Sequence, residues 1–477
     1  MISKSNVTIC ILILACLPLS VRAGGFLIYE HNATATGMAG ARSALDDDPS
    51  ALYFSPAAIT ELEGLQFQLG STGILPMVSY EAAGPSGRTY TTCTPEGVVG
   101  EALVNDGEND VDAKLKGFTP IHLYASYNLP AQGISLGFSL TNPFGLGSYW
   151  PGDWDGRFIG TETEIQTFFS NPVIAVDIAK LAGFKDQFKL SLAAGYTFVY
   201  GTAHLAKHID LRAAELLSRG AIQNPSGDMV MDGSATGHGW NLALYAESPN
   251  MLSLGFSLRG GFADNASIRM PFSGAATFRF NEAGEAARDL LAGMLVFPDE
   301  SDAKVTMNLP LHFNTGIAYR GIENLTLALD LYMAFFASYD ELGLNFLCTA
   351  EGTCPGLADA AEPVEKNWHT SWQVSLGAEY VLFDVLPLRL GYGTVGSPVP
   401  AETYDPALPD GQRHMVSFGA GYRGSWWKVD VGYMLALWQD TKDNLVGVGD
   451  DLNPEGAANG TYRTQTHILS LSFSAKI

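Results

Sequence analysis

Basic residues are scarce in this 477-residue chain: 27 Lys and Arg stand against 50 Asp and Glu, a formal net charge of -23. Nucleic-acid binding needs a basic footprint, so that class is excluded. Cysteine is scarce as well, and two of the five, Cys10 and Cys16, fall in the opening apolar run "VTICILILACLPL". That run follows Lys4 and ends in "SVRA" before "GGF", which reads as a secretory signal peptide over residues 1–23, cut after Ala23. It is too short and too close to the end for a spanning helix. The "ILAC" ending at Cys16 is a weaker, lipoprotein-like alternative. Export leaves Cys93, Cys348 and Cys354 in an oxidising compartment. "CTAEGTC" makes Cys348 and Cys354 the disulfide candidate and Cys93 an odd thiol, the alternative being three unpaired loop residues.

After cleavage no apolar run is long enough for a membrane helix, and no stretch has the composition of a disordered linker. One large closed architecture therefore fits better than the two or three soluble domains that length alone suggests. What the chain does have is alternation. In "WKVDVGYMLALW" Trp427, Val429, Val431, Tyr433, Leu435 and Leu437 share one face, and Lys428, Asp430, Gly432, Met434 and Ala436 share the other, which is the period of a strand between two environments. The pattern recurs in Ile134 to Thr141, Phe188 to Tyr200, Leu325 to Tyr332, Trp372 to Leu382 and Leu469 to Ile477.

Alternation alone does not separate a soluble sandwich from a membrane barrel. The strands are long enough to cross a bilayer with tilt. Tight connections ("NLPAQG", "ESPNM", "YRGSW") alternate with long ones (Tyr80 to Gly117, His204 to Gly237), the asymmetry of outer-membrane barrels. Tyr and Trp near strand ends suit interfacial girdles. The fold class predicted is all-β: a transmembrane antiparallel barrel of about fourteen strands, an even number that leaves both ends on the periplasmic side. Residues 63–477 form the barrel, with long loops at 204–237 and 270–305 partly helical. Residues 24–62, rich in Gly, Ala, Asp and Pro, read as a plug that fills an otherwise leaky lumen, the alternative being a disordered tail.

The mature start "GGF", the acidic "DDD" and "SPAAIT" resemble the N-terminal hatch of the FadL-type outer-membrane transporters of long-chain fatty acids and other hydrophobic compounds. Ser55 stands where that family has Asn, while Pro56 and Ala57 match. "MNLPLHFNTGIAYR" resembles the family's eighth strand and "LRGGF" its seventh. The most specific match is "LRLGYGTVGSPVPAETYDPALPDGQRHMVSFGAGY", similar to the eleventh and twelfth strands and their loop, with Ser397, Pro398, Val399, Pro400, Pro409, Asp410, Arg413 and Ser417 in register. The final Ile477 departs from the aromatic that usually ends such barrels.

The resemblance implies an outer-membrane monomer with no cofactor, whose partners are a hydrophobic ligand, membrane lipid and lipopolysaccharide, and the barrel-assembly machinery. It implies ligand-gated passive diffusion with sideways exit at a kink in the third strand, about Gly133 to Phe144, where Pro143, Gly145 and Gly147 weaken pairing. It also implies basic groups near a bound carboxylate. The inward candidates are Arg259, Arg389 and Arg413, with Lys189 and Lys428 also inward. The inward acids Glu247, Asp330, Glu379 and Asp430 offer the competing reading, structural pairing.

Two connections carry a helical period. Ile209, Ala213, Leu216 and Leu217 share one face, as do Ala283, Ala287, Leu290, Leu291 and Met294. By resemblance they form a ligand-capture groove; packing on the barrel rim is the alternative. His204 and His208 have helical metal spacing but no completing ligand motif. Asp106, Glu108, Asp110 and Asp112 read as a solvated acidic loop before a cation site. An outer-membrane lipase is disfavoured because no spacing of Ser, His and an acid assembles a triad. The remaining alternatives are an aromatic-hydrocarbon channel of the same family and a diffusive porin for polar solutes, the latter opposed by the plug.

Overall fold

The computed structural model describes residues 25–82, 89–93, 99–103, 110–184, 187–292, 298–336, 339, 341–342, 344–347, 364–400, 403–441 and 458–477. The signal peptide, Cys348 and Cys354, and Asp106 and Glu108 lie outside them.

Fourteen antiparallel strands close into one barrel. They are β1 (Leu65–Ala82), β2 (Val111–Asp112 and Ile121–Leu129), β3 (Ile134–Thr141 and Gly145–Tyr149), β4 (Glu162–Asp177), β5 (Lys189–Ile209), β6 (Gly227–Glu247) and β7 (Leu252–Gly261 and Ile268–Phe280). The second half comprises β8 (Glu300–Leu309 and His312–Ile322), β9 (Leu325–Phe335 and Leu344–Leu347), β10 (Thr370–Leu382), β11 (Leu386–Val395), β12 (Arg413–Arg423), β13 (Trp427–Trp438) and β14 (Gly460–Lys476). Closure comes from β1, which pairs with β14 along its whole length and with β2 at its start. The carbonyl of Leu65 accepts from the Ile477 N–H at 2.8 Å, so both ends of the barrel sit at the tight-turn end.

The large residues of the alternating pattern face outward. Leu69, Leu390, Leu469 and Leu471 are all more than half exposed, whereas Asp430, Met434 and Ala436 on the inner face of β13 are buried. A closed sheet satisfies every backbone group without water, so this apolar exterior belongs in lipid.

The inner face is small because the lumen is full. Residues 26–62 lie inside the barrel as a hatch made of α1 (Ala33–Gly37), α2 (Ala51–Phe54) and a 3-10 turn (Pro56–Glu61). Asn32 caps α1 by accepting from the Thr34 N–H at 2.7 Å. Inner-wall glycines admit the hatch backbone. A Cβ at Gly255 would stand 1.6 Å from the Ser43 carbonyl oxygen, and one at Gly432 would stand 2.2 Å from that of Ala33. Gly255→Leu is therefore expected to leave the strands paired but lift the hatch. Ion conductance through the purified protein in a planar bilayer checks this: a closed wild type and an open variant are the expected pair.

Strands β5 and β6 stay paired up to Ile209 opposite Gly227. This corrects the helical loop expected over 204–237: helix is confined to α3 (Arg212–Leu217), and Ile209 ends a strand. The loop expected over 270–305 shrinks likewise to α4 (Glu282–Leu291) and its flanks. His204 and His208 lie on β5, not on a helix; residues four apart share a face in either form. They pair with Asp232 at 2.7 Å and Asp228 at 2.6 Å across the sheet.

Candidate functional site

Each aspartate of the "DDD" run holds the hatch to the wall. Asp46 pairs with Arg320 at 2.6 Å and accepts from the Tyr245 hydroxyl at 3.0 Å. Glu247 joins that group through Arg320 at 3.1 Å and Lys189 at 3.1 Å, and Lys189 reaches Glu61 at 3.2 Å. Asp47 and Asp48 meet Arg42 at 2.6 and 3.2 Å, and Lys428 lies 3.1 Å from Asp48. Burial works against the Asp48 charge, yet Arg42 and Lys428 hold its carboxyl down to about 2. Asp330 accepts from the Arg42 and Ser43 N–H groups at 2.8 and 2.6 Å.

Two of the predicted ligand-binding arginines sit in this scaffold. Arg389 bridges Glu379 at 2.7 Å and Asp430 at 2.8 Å. Arg259 lies over the Tyr53 ring and donates to the carbonyls of Leu52 and Tyr53, closing the end of α2. In the hatch, Ser55 is buried just before Pro56 and Ala57, and its hydroxyl has no hydrogen-bond partner among the described residues.

Arg413 is placed differently. It lines a cavity of about 300 Å³ in the half of the lumen nearer the long loops. The lining is otherwise apolar or uncharged except for Glu30 of the hatch. Burial pushes the Glu30 carboxyl up from its ordinary value, with Arg413 opposing. The Arg413 guanidinium donates to Asp410 at 3.0 Å and lies 4.7 Å from the Trp438 ring. Asp410 also accepts from the Ser397 hydroxyl at 2.9 Å and from the Gly25 N–H, which ties the start of the hatch to the same pair.

The cavity reaches a break in the wall. The ladder between β2 and β3 ends at Leu123 opposite Leu140. Beyond it, β3 is interrupted at Asn142 to Phe144 and resumes paired only with β4. The facing edges, Phe118 to Ile121 and Asn142 to Gly147, both line the cavity. The Ile121 N–H donates to Asn142 Oδ1 at 2.9 Å and the Lys114 N–H to the Tyr149 carbonyl at 2.7 Å across the break, and two further groups of contacts cover it. From inside, the hatch runs beside the kink: Ile28 N–H donates to Pro143 at 2.8 Å, Gly145 N–H donates to Phe26 at 3.0 Å, and Leu27 faces Phe144. The Phe118 ring lies against Gly147 and stacks on Tyr149 at 6.4 Å, while Lys116 reaches the Tyr149 hydroxyl at 2.7 Å and Glu164 at 3.0 Å.

Residues 14–476 match the family described as outer membrane protein transport protein (OMPP1/FadL/TodX). The chain belongs to that family. It is an outer-membrane transport protein for hydrophobic compounds, and the family consists of channels, not enzymes. A putative outer membrane protein of Neisseria meningitidis serogroup B is 23% identical over 96% of this chain and 95% of its own length. A long-chain fatty acid transport protein of Salmonella typhi is 24% identical over 88% of this chain and 89% of its own. A FadL homologue of Pseudomonas aeruginosa shares the fold with a TM-score of 0.76 at 20% identity, covering 95% of this chain and all of that one. The toluene transporter TodX of Pseudomonas putida follows at 0.64 and 14%, with the same coverage.

At the loop end, α3 and α4 lie together with Ala214, Ala287 and Leu291 buried, while Leu217 and Leu290 are about half exposed. Among the described residues the predicted capture face is therefore split: Leu291 packs inward, Ile209 is partly buried, and Leu217 and Leu290 are exposed. The side chains of Ala213 and Leu216, and Met294, lie outside the described residues. The signal missed from sequence was the segment 113–120, read as loop although it forms one edge of the break.

Proposed function

We propose that the cargo is a long-chain fatty acid, whose carboxylate meets Arg413 while its tail lies among Phe26, Phe118, Phe144 and Phe168. It leaves through the break between β2 and β3 once the start of the hatch moves aside. The carrying observation is that Arg413, the one basic residue among the described lining, faces a largely apolar cavity that ends at a break in the wall, with Glu30 of the hatch as its one acid. A carboxylate held by Arg is a charge-assisted pair, stronger than a neutral hydrogen bond. An incoming carboxylate also competes with Asp410 for Arg413, which couples occupancy to the hold on Gly25. The names of the Salmonella relative and of the fatty-acid transporters like it support the same cargo. Leu217 and Leu290 are proposed as the exposed part of a capture surface.

Arg413→Met tests the reading. Loss of a hydrogen bond to a charged group is worth roughly 1.5–3 kcal/mol, so oleate affinity is expected to fall at least about tenfold. Toluene uptake is expected to stay within about twofold, since a hydrocarbon gains nothing from the charge. Uptake by cells lacking their own transporter measures both, with Arg413→Met/Asp410→Asn alongside to remove the stranded acid. Equal effects on oleate and toluene would overturn the fatty-acid reading in favour of an aromatic-hydrocarbon channel.

A further inference from the structure

His204 and His208 on the outer wall pair with aspartates, but three further histidines there are each paired with a tyrosine in the same way. Tyr196 and His238, Tyr392 and His414, and Tyr433 and His467 meet through the Tyr hydroxyl and His Nδ1 at 2.5, 2.9 and 2.8 Å. In every case the tyrosine is on a rising strand (β5, β11, β13) and the histidine is on the next descending one (β6, β12, β14). The rings lie 6.1 to 6.2 Å apart each time.

The height is the same as well. His238, His414 and His467 each stand nine residues above the tight-turn end of their strand, at Glu247, Arg423 and Lys476. With a rise of ~3.3 Å per residue and a tilt near 40°, that is about 23 Å, close to the height of the apolar band of such barrels. Below each histidine the outward residues are apolar, as with Val416 and Phe418 or Leu469, Leu471 and Phe473. Above His238 they are Thr236, Ser234 and Asp232, and above His467 Gln465 and Arg463. The three pairs thus mark the upper edge of the lipid belt, on two separate arcs of the barrel.

A girdle needs only amphipathic rings at that level. Nothing in that role requires the same partner at Nδ1 three times over. With the Tyr hydroxyl as the donor to Nδ1, the ring proton is placed on Nε2, the nitrogen turned away from the tyrosine. We propose that these pairs form a ring of anion-binding positions in which His238, His414 and His467 present Nε2–H to phosphate groups of the outer-leaflet glycolipid. The occupant follows from position and chemistry. The pairs lie toward the long-loop end, away from the phospholipid leaflet at the tight turns, and the protein's negative charge offers few other donors to an anionic surface. At His467, Nε2 already meets the Gln465 side-chain amide at 3.0 Å, so a phosphate there has to displace that contact, a displacement that no described contact requires at His238 or His414.

The test is native mass spectrometry of the full mature protein in detergent, titrated separately with bisphosphorylated lipid A, dephosphorylated lipid A and phosphatidylglycerol. The wild type is expected to prefer the phosphorylated lipid A over the dephosphorylated form by at least about tenfold, as for hydrogen bonds to a charged group. The His238→Phe/His414→Phe/His467→Phe variant is expected to lose that preference while keeping its heat-modifiable migration. Should the triple variant fail to fold, the wild-type comparison and the single His414→Phe variant decide. A wild type indifferent to the phosphates, a triple variant with unchanged preference, or equal binding of phosphatidylglycerol would each overturn the proposal.

Discussion

Oxidising a Leu27→Cys/Phe144→Cys variant is expected to stop uptake of hydrophobic cargo, and adding reductant to restore it. The pair is chosen from the backbone. The bonds from Ile28 to Pro143 and from Gly145 to Phe26 flank Leu27 and Phe144, which makes them a non-hydrogen-bonded antiparallel pair. Such Cα atoms stand about 4.5 Å apart, inside the range a disulfide spans. The magnitudes say why this segment can move. Two backbone hydrogen bonds are worth about 1 kcal/mol each in net terms, and burying Phe26 and Leu27 about 2–3 kcal/mol each. A fatty acid gains ~0.8 kcal/mol per methylene buried in their place, so the tail alone offsets the loss. A disulfide removes that exchange. Wild type with and without reductant controls for Cys93, Cys348 and Cys354. Equal uptake by the oxidised and reduced forms would place the exit elsewhere.

The alternation of Trp427 to Trp438 was enough to read a two-environment strand, and its repetition enough to read a barrel. Which face turns inward followed from the reading of residues 24–62 as a plug, since the wall glycines have meaning only against the hatch backbone. The kink was legible in Pro143, Gly145 and Gly147, because each weakens a ladder by itself. The break was not, because it also needs the opposite edge to lack a ladder, and Lys116 to Pro120 carry no such mark. Alternation also turned Arg259, Arg389 and Arg413 inward without sorting them. Their sorting depends on partners distant in the chain or built by the fold, such as Asp430 for Arg389 and the carbonyls closing α2 for Arg259. His204 and His208, set aside as metal ligands from sequence, share a face for a geometric reason, since a spacing of four satisfies a helix and a strand alike.

The second large effect is expected from Asp46→Asn/Asp47→Asn/Asp48→Asn. These acids join two charge clusters on opposite parts of the wall to one hatch segment. Their removal strands Arg42, which is 1% exposed, while Lys428 keeps Asp430 at 3.4 Å and Arg320 and Lys189 keep Glu247. Breaking one buried pair by deleting a partner costs roughly 3–5 kcal/mol, and here Arg42 loses both of the acids it meets while each wall cluster loses its aspartate tie to the hatch. The strand ladders do not run through the hatch, so the barrel is expected to persist as an open pore. Bilayer conductance and entry of small polar solutes measure this against the closed wild type. Acid provides an independent route to the same state. The Asp48 carboxyl, held at about 2 in the docked hatch against 3.8 when free, contributes stability that is complete above its free value and is lost as pH falls through its docked value. Wild-type conductance is therefore expected to stay low down to about pH 4 and to rise from there toward about pH 2, while the triple variant conducts throughout. A triple variant as closed as wild type would show that the acidic run contributes nothing to the seal, and that the remaining anchors, such as Asp330, Arg259 and the backbone fit to Gly255 and Gly432, hold the hatch.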